Sequence, residues 1–156
     1  MPTNPIDANE FITHDRLNPE DLRLKQSPDI ERVPASAAWV STGYIVAEDD
    51  IVIIDADEDT QWSANPRTSG LYDANGSGLP AKPGYLQFPG TEGALIGKIG
   101  LFIFEAGSFV HVHVPKGVSG ELMLSINDDA ESIRGNEFIG NEGAVDATIT
   151  VYTLAP

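Results

Sequence analysis

The sequence predicts an all-β protein, an antiparallel β-sandwich with an irregular N-terminal arm, and three observations carry that expectation. From Ala38 onward, short runs rich in aromatic and β-branched residues alternate with turn signals, and no long helical pattern intervenes. The segment Ser108-Phe-Val-His-Val-His-Val114 alternates strictly, with Val110, Val112 and Val114 on one face and Phe109, His111 and His113 on the other. The most apolar stretch, Gly93-Ala-Leu-Ile-Gly-Lys-Ile-Gly100 running on into Leu101-Phe-Ile-Phe104, is punctuated by glycines at 93, 97 and 100. In a helix each glycine would cost about 1 kcal/mol relative to alanine. In a strand it marks a bend, a bulge or a close backbone approach. Residues 93–104 are therefore expected to form a single central strand, closely approached by its neighbours.

Residues 1–34 differ in texture from the rest of the chain. Pro2, Pro5, Pro19, Pro28 and Pro34 interrupt them, and no apolar period persists. A short helix is expected over residues 18–24, with Asn18 as N-cap, Pro19 in the first turn and Glu20 and Asp21 at the positive helix end. The segment is read as an extended, assembly-forming arm, with Phe11, Leu17, Leu22 and Leu24 as its apolar anchors, and residues 35–156 as the sandwich domain. The first strand of that domain is expected in Trp39-Val-Ser-Thr-Gly-Tyr-Ile-Val46, and Glu48-Asp-Asp50 turns into a second, Ile51-Val-Ile-Ile54. Residues 55–92 are mostly loop, with turn signals at Asn65-Pro66, Asp73-Ala-Asn-Gly76, Lys82-Pro-Gly84 and Pro89-Gly90. After the central strand and the alternating one, Glu121-Leu-Met-Leu-Ser-Ile126 and Ala147-Thr-Ile-Thr-Val-Tyr-Thr153 supply two more, separated by a polar loop that runs to Gly143.

Composition narrows the function classes. A chain of 156 residues, 41% hydrophobic, supports one domain with a core of its own. The absence of cysteine excludes disulfides and thiolate zinc sites. Twenty-four acidic against nine basic residues give a formal charge of −15, which repels phosphate backbones, so nucleic acid is not an expected partner. Such a surface suits solubility in salt, cation binding or docking on a basic partner. The start of the sequence lacks the basic and apolar regions of a signal peptide, and no segment reaches the roughly 20 apolar residues of a membrane helix, so membrane insertion is not expected.

Four places are candidates for chemistry. Asp55-Ala-Asp-Glu-Asp59 sets aspartates at alternate positions, as calcium loops do, yet Thr60 and Pro66 stand where an EF-hand needs glycine and a bidentate glutamate. A solvated acidic strand end is the simpler reading. His111 and His113 share a strand face and have ligand chemistry for zinc or nickel, but no third ligand is indicated; surface or interface histidines are the simpler account. Residues 127–143 concentrate Asp128, Asp129, Glu131, Asn136, Glu137, Asn141 and Glu142 between two strands, and carboxylate and amide oxygens converging from a loop are what calcium takes. The plain alternative is a hydrophilic hairpin tip. An enzyme site is the fourth: there is no GxSxG, no phosphate-binding glycine loop and no cysteine nucleophile, which points away from catalysis.

From Trp39 to Tyr152 the chain resembles the LecA (PA-IL)-like family of calcium-dependent, galactose-binding lectins and lectin-like modules. The resemblance rests on Thr42-Gly43, Asp49-Asp50-Ile-Val-Ile53, Trp62 with the glycine- and proline-rich loops after it, residues 93–100, Phe109, Gly120-Glu-Leu-Met-Leu-Ser-Ile-Asn-Asp128 and Asn141-Glu-Gly143. It implies a galactose-binding-domain-like, jelly-roll type sandwich. It also implies a Ca2+ ion held by Asp128, Asn141 and main-chain oxygens near Val46 and Ile133, with Asp128, Asp129 and Asn141 contacting carbohydrate. The chain departs from the family at Gly140, where a second acidic or amide ligand is usual, and in residues 63–92, where the histidine and glutamine offered to galactose have no match.

Two functions are expected on these grounds. The first is a non-catalytic, calcium-dependent carbohydrate-binding module working through the loop 127–143. The alternative is a structural assembly subunit, a homo-oligomer or part of a larger assembly such as a virion decoration or cement protein, docking through residues 1–34. Both place the protein outside the cell or on a virion surface.

Overall fold

Facing rows of valine, isoleucine and leucine build two antiparallel sheets, and the core lies between them. The computed structural model describes residues 12–14, 22–129 and 140–154. The first sheet has the order β1 (Ile12–Thr13), β8 (Phe109–His113), β4 (Ile51–Ala56), β10 (Glu142–Leu154), β2 (Leu22–Pro34), with β5 (Trp62–Ser63) also paired to β10. The second has the order β3 (Val40–Val46), β9 (Gly120–Ile126), β6 (Leu95–Ile99), β7 (Phe102–Glu105). This is the expected all-β antiparallel sandwich.

Register explains the core. In the first sheet Val112, Val52 and Val151 form one rung and Val110, Ile54 and Ile149 the next, all fully buried. The alternation along β8 is as expected: its valines face inward, while Phe109, His111 and His113 are only partly buried on the outer face. The second sheet answers with Leu122, Leu124 and Ile126 of β9 and Leu95 and Ile99 of β6. Burying each such aliphatic side chain contributes roughly 1.5–3 kcal/mol.

Two sequence expectations need correction. Residues 93–104 are not one strand but a hairpin: Leu95–Ile99 pairs antiparallel with Phe102–Glu105, Ile99 opposite Phe102. Gly100 takes a left-handed φ of +61° at the turn, and Leu101 projects 99% exposed from it. The apolar character of Leu101 concealed the turn. The second correction concerns the arm. The sandwich does not begin after residue 34, because Leu22–Pro34 is a full edge strand paired with β10 from Leu22↔Leu154 to Pro34↔Ala144. Leu22 to Leu24 are therefore strand and not the end of a helix, and Leu24 is about half exposed. An edge strand tolerates proline and charge, which is why this one resembles a linker in sequence. Lys25 ties the strand to the β3–β4 turn through the buried carboxylate of Asp50. Phe11, Leu17 and the start of the expected helix lie outside the described residues, as does the side chain of Leu22.

Gly97 owes its place on β6 to its cross-strand partner. It faces Phe104, and a Cβ there would overlap the ring carbons of that phenylalanine. The bare backbone makes room for a fully buried aromatic ring. Gly97→Ala is expected to destabilise the fold by about 1–3 kcal/mol and Gly97→Val by more. Urea unfolding should also show that Phe104→Leu recovers part of the Gly97→Ala loss, because the two residues share one space.

Candidate functional site

The ends of β9 and β10 meet at one edge of the sandwich, where Trp62 organises the backbone. Trp62 is completely buried, exchanges two 2.9 Å backbone hydrogen bonds with Tyr72 and donates its indole N–H to the Gly93 carbonyl at 2.8 Å. Gly93 and Gly143 have φ of +76° and +85°. A Cβ on Gly93 would strike the Tyr72 phenol, and one on Gly143 would strike the backbone of Gln61 and Trp62. Tyr72 in turn accepts the Ala64 N–H at 2.8 Å, which fixes the turn after β5.

Asn127 locks the end of β9. Its side-chain oxygen accepts the Gln87 N–H, its amide donates to the Gln87 and Thr91 carbonyls, and its own carbonyl accepts the Gly93 N–H. Asp128 is thereby held inward at 5% exposure. One Asp128 oxygen accepts the Asp129 N–H at 2.7 Å, and the other accepts Nδ2 of Asn141 at 2.9 Å. Asn141, 8% exposed, also donates Nδ2 to the Ala35 carbonyl at 3.0 Å. The structure thus brings together Asp128 and Asn141 from opposite ends of the loop and adds Ala35, which the sequence did not indicate. Beside this knot opens a polar pocket of about 460 Å³, walled by Asn65, Arg67, Asn141 and Glu142.

Carboxylates gather at this end of the sandwich. Tyr85 bridges to Asp129 and donates its hydroxyl to the buried Glu92 at 2.9 Å. Its phenol pKa is pushed well up, first by burial, then by Glu92, then by Asp128 and Asp129. Tyr72 is also raised, chiefly by burial, against the opposing hydrogen bonds from Ala64 and Ser63.

The other candidates fare differently. Val46 pairs with Gly120, at the far end of β9 from Asp128, so its carbonyl is not part of this site. The β3 strand runs antiparallel to β9, and the carried-over position falls on the wrong end of it. Ile133 lies outside the described residues. Asp57 caps its own turn, accepting the Asp59 N–H, as a solvated strand end would. His113 meets Asp49 at 3.0 Å, while burial, with His113 nearby, lowers the pKa of His111. Among the described residues, no three His, Asp or Glu side chains form a metal-ligand group.

No family model and no curated protein sequence matches the chain. Among solved structures it is similar to one described as the EclA N-terminal domain, a PllA-like lectin. The TM-score is 0.57 at 18% identity, over 85% of this chain and 98% of that one. The likeness shows a lectin-like β-sandwich fold and does not point to the LecA (PA-IL)-like family in particular.

The Asp128–Asn141 contact should matter for stability on its own. Asn141→Ala removes the donor from a buried carboxylate and from the Ala35 carbonyl, and is expected to cost about 1–3 kcal/mol. Urea unfolding in the presence of EDTA measures it.

Proposed function

We propose that this chain is a non-catalytic carbohydrate-binding module whose site is the pocket beside Asp128 and Asn141. The observation that carries this reading is a buried carboxylate held by a side-chain amide, Asn141, which itself lines a polar pocket on a lectin-like sandwich. The pocket wall, with Asn65, Arg67, Asn141 and Glu142, offers both donors and acceptors to sugar hydroxyls. Rotation of the Asn141 amide would exchange Nδ2 for Oδ1 beside Asp128. The pair then presents carboxylate and amide oxygens, with the Ala35 carbonyl adjacent, and this hard-oxygen set fits calcium. When bound, calcium supplies a charge that neutralises Asp128 and coordinates hydroxyls. In its absence the Asn141 amide donates a hydrogen bond to the carboxylate, whose charge remains.

Asp128→Asn keeps the side-chain shape and removes the charge. Calcium is expected to raise the thermal midpoint of the native protein and to leave that of Asp128→Asn unmoved. Glycan-array binding should be lost both in that variant and with EDTA. Array binding indifferent to chelator and to Asp128→Asn, or no binding at all, rules the reading out.

Assembly through a second copy is the second reading, favoured by an uncharged groove of about 430 Å³ along the edge strand β7. Phe88, 54% exposed, and the fully exposed Leu101 line it together with Pro89 and Phe102. On a chain of charge −15, such a surface is where like copies repel least. Sedimentation velocity should show self-association that Leu101→Asp abolishes; a monomer at all concentrations dismisses it.

A further inference from the structure

A second cavity lies where the two sheets meet at their edges, between β2 and β3. Its volume is about 320 Å³, within the range of about 300–1,000 Å³ typical of small-molecule sites. Edge strands usually close such a seam with aliphatic side chains. Here β2 slips register on both sides of Val151, with Gln26 opposite Val151 and Asp29 opposite Ile149. The extra residues fall on β2 and include Pro28, which needs no ladder donor there. The bulge turns Gln26 and Asp29 to line the cavity.

The opposite wall is held rigidly by its own hydrogen bonds. The Tyr44 hydroxyl reaches the carbonyls of Ser27 at 3.1 Å and Ile149 at 3.3 Å, spanning from one sheet to the other. Thr42 donates to the Leu122 carbonyl and accepts the Tyr44 N–H, and Gly43 donates its N–H to Glu121. Gly43 has φ +78° and nothing within 4 Å of where a Cβ would stand, so the mouth is open. The groups left to meet a ligand come from β2. Gln26 Oε1 is buried without a hydrogen-bond partner, so turning that amide toward the cavity sacrifices no bond at that atom. Asp29 adds a carboxylate.

We propose that this groove is a second ligand site, taking a small polyhydroxylated molecule that is neutral or carries an ammonium group, and refusing anions. Hydroxyl and ammonium donors suit Gln26 Oε1 and the Asp29 carboxylate, and the Tyr44 ring supplies an apolar wall. The groove's potential is negative: burial and then Asp29 raise the Glu31 pKa, and burial followed by Asp29 and Glu31 raises that of Tyr44. The site uses none of the Asp128 machinery and needs no metal.

Nitrogen–proton correlation spectra of the full chain, titrated in EDTA with glucosamine, glucose and glucuronate, test this. Glucosamine and glucose are expected to shift the amides of Gln26, Asp29, Gly43 and Tyr44 saturably, and glucuronate to leave them in place. Asp29→Asn should weaken glucosamine by about tenfold, and Gln26→Ala should weaken both sugars, with the remaining resonances unmoved. Asp128→Asn should bind as the native protein does. Absence of saturable shifts at these amides, equal binding of glucuronate, or unchanged affinity in both β2 variants overturns the proposal. Shifts confined to the Asp128 end overturn it too, while leaving the carbohydrate reading of that end standing.

Discussion

Close backbone approach around Trp62 is the constraint on which the rest of the structure depends. The indole is buried with its N–H on the Gly93 carbonyl, and the backbones at Gly93 and Gly143 pass where no Cβ fits. Through those contacts Trp62 fixes the start of β6, the end of β9, the start of β10 and the turn at residues 63–67. The last three of these pieces carry Asn127 with Asp128, Asn141, and Asn65 respectively. A single large aromatic therefore sets the relative positions of groups that lie far apart in sequence. The glycines contribute left-handed backbone and the absence of a side chain, both of which any substitution would forfeit.

Much of the sandwich was legible in the sequence because its signals are local. The Val110–Val112–Val114 alternation needs no knowledge of the partner strands, and the glycine at 97 announces crowding before Phe104 is seen to cause it. What escaped depends on the partner. The β2 sequence LRLKQSPDIERVP has charges, a proline and no clean period, because an edge strand answers to solvent on one side and its bulge breaks the alternation. The hairpin turn at Gly100-Leu101 carries an apolar residue where turn chemistry favours polar ones, so two strands resemble one.

The site was legible in part for the same reason. Asp128 and Asn141 stand out as oxygen ligands at the two ends of one loop, and the fold brings them to 2.9 Å. Ala35 does not stand out, since its role is played by a main-chain carbonyl to which any residue would be equal. Val46 is reached by counting along β3, and antiparallel pairing puts that end of the strand away from Asp128. Main-chain ligands depend on strand direction and register, and composition records neither.

The acidic character of the chain acquires a direction from these placements. At the Asp128 end, carboxylates of Glu92, Asp128 and Asp129 act together on Tyr85, and at the β2–β3 seam Asp29 and Glu31 act together on Tyr44. Both places gather carboxylates, which would favour hydroxyls or cations over anions, with Arg67 as the counterweight in the pocket wall at the Asp128 end. They are joined by β10, which passes from Asn141 beside the pocket to Ile149 beneath the groove, about 25 Å at the usual strand rise. That strand is hydrogen-bonded to neighbours on both sides and its inward side chains are fully buried. A packed central strand has one arrangement and not two, and coupling between sites needs an element with two. Occupancy of one proposed site should therefore leave the affinity of the other unchanged, and the two would act as separate points of attachment on one rigid scaffold.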